Sequence, residues 1–174
     1  MTSFAPRLAP LIAIALILVG CATTQRIAAA GDVHALLIAI RDDDRAGFEA
    51  HIDRPALEAQ LQARLVARAG TLAGGWRALG VILSGPAART AGELLLRPDV
   101  FRGVADYYGY RPGAPIPNAL VIASALRALP DGRVCAARSK GGPCLLTFAD
   151  EVGTWRLVAF EGDPAMLRGG GGAR

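Results

Sequence analysis

Two cysteines, Cys135 and Cys144, flank a turn at Ser139-Lys140-Gly141-Gly142. A hairpin turning between Ser139 and Lys140 places them opposite each other, within the Cα separation of about 4.4–6.8 Å that a disulfide prefers. A loop this short stabilises by about 2–3 kcal/mol in the chain-entropy model. Two buried free thiols are the other reading. The spacing is not Cys-x-x-Cys, so it does not point to redox catalysis. His34 and His51, the two histidines, lie in different expected helices at no ligand spacing, and a metal site would need them to converge with Asp42 or Asp53. Asp42, Asp43 and Asp44 sit between Arg41 and Arg45 and lack the alternating oxygens, turn glycine and distal Glu of a cation loop. A solvated helix junction suits them better. Ser84-Gly85-Pro86 and Ser124 lack the strand-turn-helix setting of a nucleophile elbow. Tyr107, Tyr108 and Tyr110 could rim a pocket or partner site, or pack helix onto sheet. None of these groups forms a catalytic constellation, and none implies a cofactor or metal.

The third cysteine has a different setting. The chain opens with one positive charge, Arg7, followed by nine apolar residues, Leu11 to Val19, then Gly20 and Cys21. This is the layout of a secretory signal. The apolar run is too short for a membrane span of about 20 residues. A plain signal peptide with a chance cysteine is one reading. Leu18-Val19-Gly20-Cys21, however, resembles the lipobox of bacterial lipoproteins. The resemblance implies removal of residues 1–20 and diacylglycerol on the Cys21 sulfur. It also implies a third, palmitate-type acyl chain on the new amino group. Two or more chains anchor a protein stably, whereas one holds it marginally. Ala22 rather than Asp after the cysteine implies sorting to the periplasmic face of the outer membrane. In that compartment disulfides persist, which favours the bridged reading of Cys135 and Cys144.

A chain of 174 residues is expected to form one domain. Its formal charge of +4 falls by one when Arg7 leaves. The arginines are scattered among acids, with no basic block or aromatic-basic stripe, which argues against nucleic acid as a partner.

The elements follow from local signals. Residues 21–31 are small and polar and read as a lipidated tether. Asp32 is a suitable N-cap for a helix carrying Val33, Leu36, Leu37 and Ile40 on one face. Asp43 or Asp44 can cap the next helix, with Phe48 and Ile52 inward. Asp53-Arg54-Pro55 starts a third, with Leu57, Leu61 and Leu65 as its apolar stripe, ending near Gly70. Trp76, Leu79, Ile82 and Leu83 suggest a further stretch interrupted by glycines. Arg97-Pro98-Asp99 restarts a helix. Pro112, Pro115 and Pro117 forbid one. Turn signals at 130–132, 141–143 and 150–153 then separate segments 119–129, 133–139, 144–149 and 154–161, an antiparallel meander of four strands. The expectation is an α+β domain over 32–163, helical in 32–109 and sheet in 118–162, with a flexible tail at 164–174.

Ile52-Asp53-Arg54-Pro55-Ala56-Leu57-Glu58 is similar to an Asp-Phe-Pro-Ala-Leu-Arg type segment of an uncharacterised bacterial family. Its members also tend to end on a Trp-Arg/Lys-Leu-Val strand, matched here by Trp155-Arg156-Leu157-Val158. Arg54 stands where the family has an aromatic and Glu58 where it has a base. The resemblance spans 33–161 and implies no catalytic residues. A looser resemblance is to the cone-shaped fold of nuclear-transport-factor-like domains, helices followed by a curved sheet round a pocket. These readings favour an envelope lipoprotein that binds another envelope protein or a small apolar ligand. The alternative is a pocket enzyme with acid-base work by Asp53, His51 or a tyrosine.

Overall fold

Alanine is the strongest helix former, and Ala28-Ala29-Ala30 carries the chain helically through the stretch read as a tether. In the computed structural model, which describes residues 8–71, 96–107, 113–137, 139 and 141–161, helix α1 runs without a break over Leu8–Asp42. Ala29 and Ala30 are fully buried, so the packed part of the domain begins ahead of residue 32. Asp32 therefore lies inside α1 and caps nothing. The face expected from its spacing is real: Val33 and Leu36 are buried, and Leu37 and Ile40 pack against the core.

The acidic run ends α1 and starts α2 (Arg45–Ala50). Asp43 adopts a left-handed backbone with φ of 57°, and the amide of Asp44 donates to the carbonyl of Ala39 at 2.9 Å. That is a Schellman closure with Asp in the place glycine usually holds. The Asp44 carboxylate then accepts from the Gly47 amide at 3.1 Å, an N-cap. Phe48 and Ile52 point inward, as their spacing requires. Helix α3 (Arg54–Thr71) starts where Asp53 accepts from the Ala56 amide at 3.0 Å, with Pro55 in the first turn. Leu57 is buried, and Leu61 packs against the core. Helix α4 covers Pro98–Tyr107.

The first segment assigned to the sheet is mostly helical. Helix α5 spans Ala119–Ala125, capped by the Asn118 side chain, which accepts from the Val121 amide. Strand β1 is only Leu126–Ala128. A short apolar run fits helix and buried strand alike, and the cap at Asn118 decides it. Strands β2 (Val134–Ala137), β3 (Cys144–Glu151) and β4 (Thr154–Phe160) complete an open antiparallel meander in the order β1-β2-β3-β4. The chain is thus α+β, helices first and a four-stranded sheet last. Its turns use the expected chemistry. Gly132 and Gly141 have φ near +80°, and the β3–β4 turn places Val152 and Gly153 at 54° and 85°. Two successive positive φ values make that a type I′ turn.

The core lies between α1 and the sheet. Among the described residues, Phe48, Phe148, Leu57, Leu157 and Val134 are its largest fully buried apolar groups. Phe101 from α4 meets the Phe48 ring edge-on at 5.2 Å and the Phe160 ring at 6.2 Å. One aromatic thereby ties helix α4 to both α2 and β4.

Candidate functional site: a two-arginine groove beside the start of the domain

The two resembling motifs meet in space. Ile52 forms a parallel bridge with Leu157. The Leu157 amide donates to the His51 carbonyl at 2.9 Å, and the Asp53 amide donates to the Leu157 carbonyl at 2.9 Å. The linker between α2 and α3 thus extends the sheet beyond β4.

Around this bridge stand the groups proposed for acid-base work. His51 takes the Gly47 carbonyl on Nδ1 at 2.8 Å, and its Nε2 faces Asp32 at 3.7 Å. Because a carbonyl can only accept, Nδ1 carries the hydrogen. The second oxygen of Asp32 accepts from the backbone amide of Trp155 at 2.7 Å. Asp53 caps α3 and also bonds the Glu151 carboxyl. Burial, and then the Asp53 carboxyl beside it, push Glu151 above the usual carboxylate range. Arg156, 3.2 Å from Glu151, opposes that shift. His51, Asp32 and Asp53 each hold a backbone group, so the edge reads as a structural latch. Arg54 and Glu58, the two departures from the resembling segment, lie 3.8 Å apart. Arg54 also bonds Glu49 and the Leu96 carbonyl.

The histidines do not converge: the ring of His34 bonds the Pro117 carbonyl at 2.9 Å instead, pinning the proline linker to α1. Asp42 pairs with Arg41, and Asp43 with Arg102 at 3.2 Å. With Asp44 as a cap, all three acids of the run have structural work. Ser84, most of the 71–97 stretch, the side chains of Tyr107, Tyr108 and Tyr110, the 164–174 tail and the Cys21 side chain lie outside the described residues.

Cys135 and Cys144 are joined as a disulfide with a Cα separation of 5.5 Å. The pairing is as expected, but the register differs. A shift between Ala136 and Ala137 places Cys144 opposite Ala137 and Cys135 opposite Thr147. The bond therefore crosses a bulge, not a directly opposed pair.

On its other side Cys135 is the strand partner of Arg127, and this leads to a feature that sequence reasoning missed. Nη2 of Arg127 lies 3.5 Å from Cys135 Sγ and 3.3 Å from Cys144 Sγ. Sulfur is a weak acceptor, so the disulfide orients the guanidinium while leaving most of its donors unused. Arg127 forms one wall of a groove of about 620 Å³. Ala22 and Arg26 of α1, Ser124 at the end of α5, Leu126 of β1 and Ser139 of the β2–β3 turn line it too, and among the described residues no acid does. Arg26 is steadied by its own helix, with Nε on the Ala22 carbonyl and Nη2 on the Thr23 hydroxyl, both at 3.3 Å. The volume falls within the several hundred Å³ of ordinary ligand sites. The lining has two fixed cations, hydroxyls and an apolar floor, which suits an anion carrying an apolar part.

The family whose model matches this chain, over residues 14–102, is described as "Protein of unknown function (DUF2939)". The chain belongs to that family. The matched span takes in both Leu18–Cys21 and Ile52–Glu58, and it ends before the sheet. No curated protein and no solved structure matches the chain. As a member of DUF2939, the chain inherits a family of unassigned role.

Proposed function

We propose that this chain is a bacterial envelope lipoprotein, anchored through lipid on Cys21 to the periplasmic face of the outer membrane. Its domain is a non-enzymatic module that binds a small ligand. The observation that carries the binding part is the groove of about 620 Å³, walled by Arg26 and Arg127, with no acid among the described residues that line it. The signal layout and the Leu18-Val19-Gly20-Cys21 tetrapeptide support the address. The Cys135–Cys144 bond fits an oxidising compartment. Binding is favoured over catalysis because Asp32, His51 and Asp53 already hold backbone groups of the domain. Native mass spectrometry of the lipoprotein, extracted from the envelope in neutral detergent, tests the reading. The expected spectrum shows the diacylated or triacylated Cys21 chain together with a population carrying one further small mass. A chain that never carries an added mass contradicts ligand binding.

A further inference from the structure

We propose that the groove takes the anionic headgroup of a membrane lipid, with Arg26 and Arg127 holding the charge. The inference deepens the binding role proposed above and rests on it.

The charge pattern is the first support. Arg41, Arg54, Arg64, Arg97, Arg102, Arg133 and Arg156 each have a carboxylate within 4.0 Å. Among the described residues, Arg26, Arg45 and Arg127 meet none, and of these three only Arg26 and Arg127 line the groove. Their fixed contacts are a carbonyl, a hydroxyl and two sulfurs. Two guanidiniums on a groove whose described lining holds no acid make a site for phosphate or carboxylate oxygens, the acceptors that their planar donor array fits best.

The second support is exposed apolar surface on α1 and α5, two of the elements that supply the groove. The large exposed hydrophobic side chains include Ile27 at 54%, Leu120 at 75% and Val121 at 53%. Ile27 follows Arg26. Leu120 and Val121 lie one helical turn before Ser124 and Ala125, which line the groove. A headgroup in the groove would leave its acyl chains against these side chains, an arrangement that a free phosphate would not use.

The third is position. Ala22 lines the groove and is bonded directly to Cys21, and neighbouring Cα atoms are about 3.8 Å apart. A lipid anchor on Cys21 would hold the mouth of the groove at the headgroup layer, where tethering makes the effective concentration of lipid headgroups high.

The test uses the full lipoprotein in phosphatidylcholine vesicles doped with a photoactivatable phosphatidylglycerol or, separately, a photoactivatable phosphatidylcholine. Labelled sites are mapped by peptide mass spectrometry. Phosphatidylglycerol is expected to label residues 22–27 and 120–128. The Arg26→Gln, Arg127→Gln double variant should lower that labelling about tenfold, the loss expected for a charge-assisted contact. The Arg26→Lys, Arg127→Lys variant should keep most of it, which separates charge from folding. Equal labelling of the groove by both lipids, or labelling undiminished in the glutamine variant, overturns the anionic preference but leaves a binding groove. No labelling of the groove by either lipid overturns the lipid ligand. If the native spectrum also carries no small mass, the binding role falls with it.

Discussion

The Asp32 carboxylate accepts a 2.7 Å hydrogen bond from the backbone amide of Trp155, which lies 123 residues further along the chain. A position that looks like a helix cap is a clasp between the first helix and the last strand. Its other oxygen faces His51 at 3.7 Å, so one side chain joins α1, β4 and the linker that bridges to Leu157.

Removing the clasp should be costly. Asp32→Ala leaves the Trp155 amide, in a half-buried setting, without its acceptor. The expected loss is about 1–3 kcal/mol. Asp32→Asn retains an oxygen and should lose less. Urea denaturation followed by tryptophan fluorescence measures both, and equal stability of Asp32→Ala and wild type would contradict the clasp.

Val152 is a β-branched residue at φ 54°, fully exposed at the tip of the β3–β4 turn. A side chain of that shape is strained there by about 1–2 kcal/mol, whereas Asn-Gly is the favoured pair for this turn. Val152→Asn should therefore raise stability by about 1 kcal/mol without touching the core. Thermal denaturation checks it.

Glu151 gives a pH dependence of a definite sign. Its carboxyl is raised in the folded state by burial and by Asp53, so the native chain binds its proton more tightly than the unfolded chain does. That contribution is complete below the usual carboxylate range and is lost as pH rises through the elevated value. Glu151→Gln should thus be more stable than wild type at neutral pH, and the advantage should vanish in acid. The ion pair to Arg156, at 3.2 Å and partly exposed, offsets little of this. Denaturation midpoints across the acid-to-neutral range decide the matter.

The disulfide closes a loop between residues nine apart in sequence. Replacing Cys135 and Cys144 together by Ala should cost about 2–3 kcal/mol. It should also loosen Arg127, which rests on both sulfurs. Protein taken from the periplasm should gain mass from a thiol reagent at these positions only after reduction.

Much of this domain was legible locally. Asp44, Asp53 and the three hairpin turns act where their residue types say they should, because caps and turns are decided within four residues. The disulfide was legible as a pair but not in its register, since a bulge between Ala136 and Ala137 leaves no mark in the spacing. Helix α5 reads as strand from sequence because Ala119 to Ala123 is an unbroken apolar run, too short to show a helical period. The groove was not legible at all. Its walls come from residues 22–26 and 124–128, and only the packing of α1 against α5 and β1 brings them together. Arg26 and Arg127 look like members of a scattered arginine population until the fold places both on the groove.

The proposed lipid on Cys21 would hold this groove at a membrane. Metabolic labelling with a palmitate analogue, comparing wild type with Cys21→Ala in a bacterial host, tests it most directly. The wild-type chain should carry label and partition with membranes, and Cys21→Ala should give an unlabelled, uncleaved or soluble chain. Absence of label in wild type, or unchanged label and partitioning in Cys21→Ala, would contradict it.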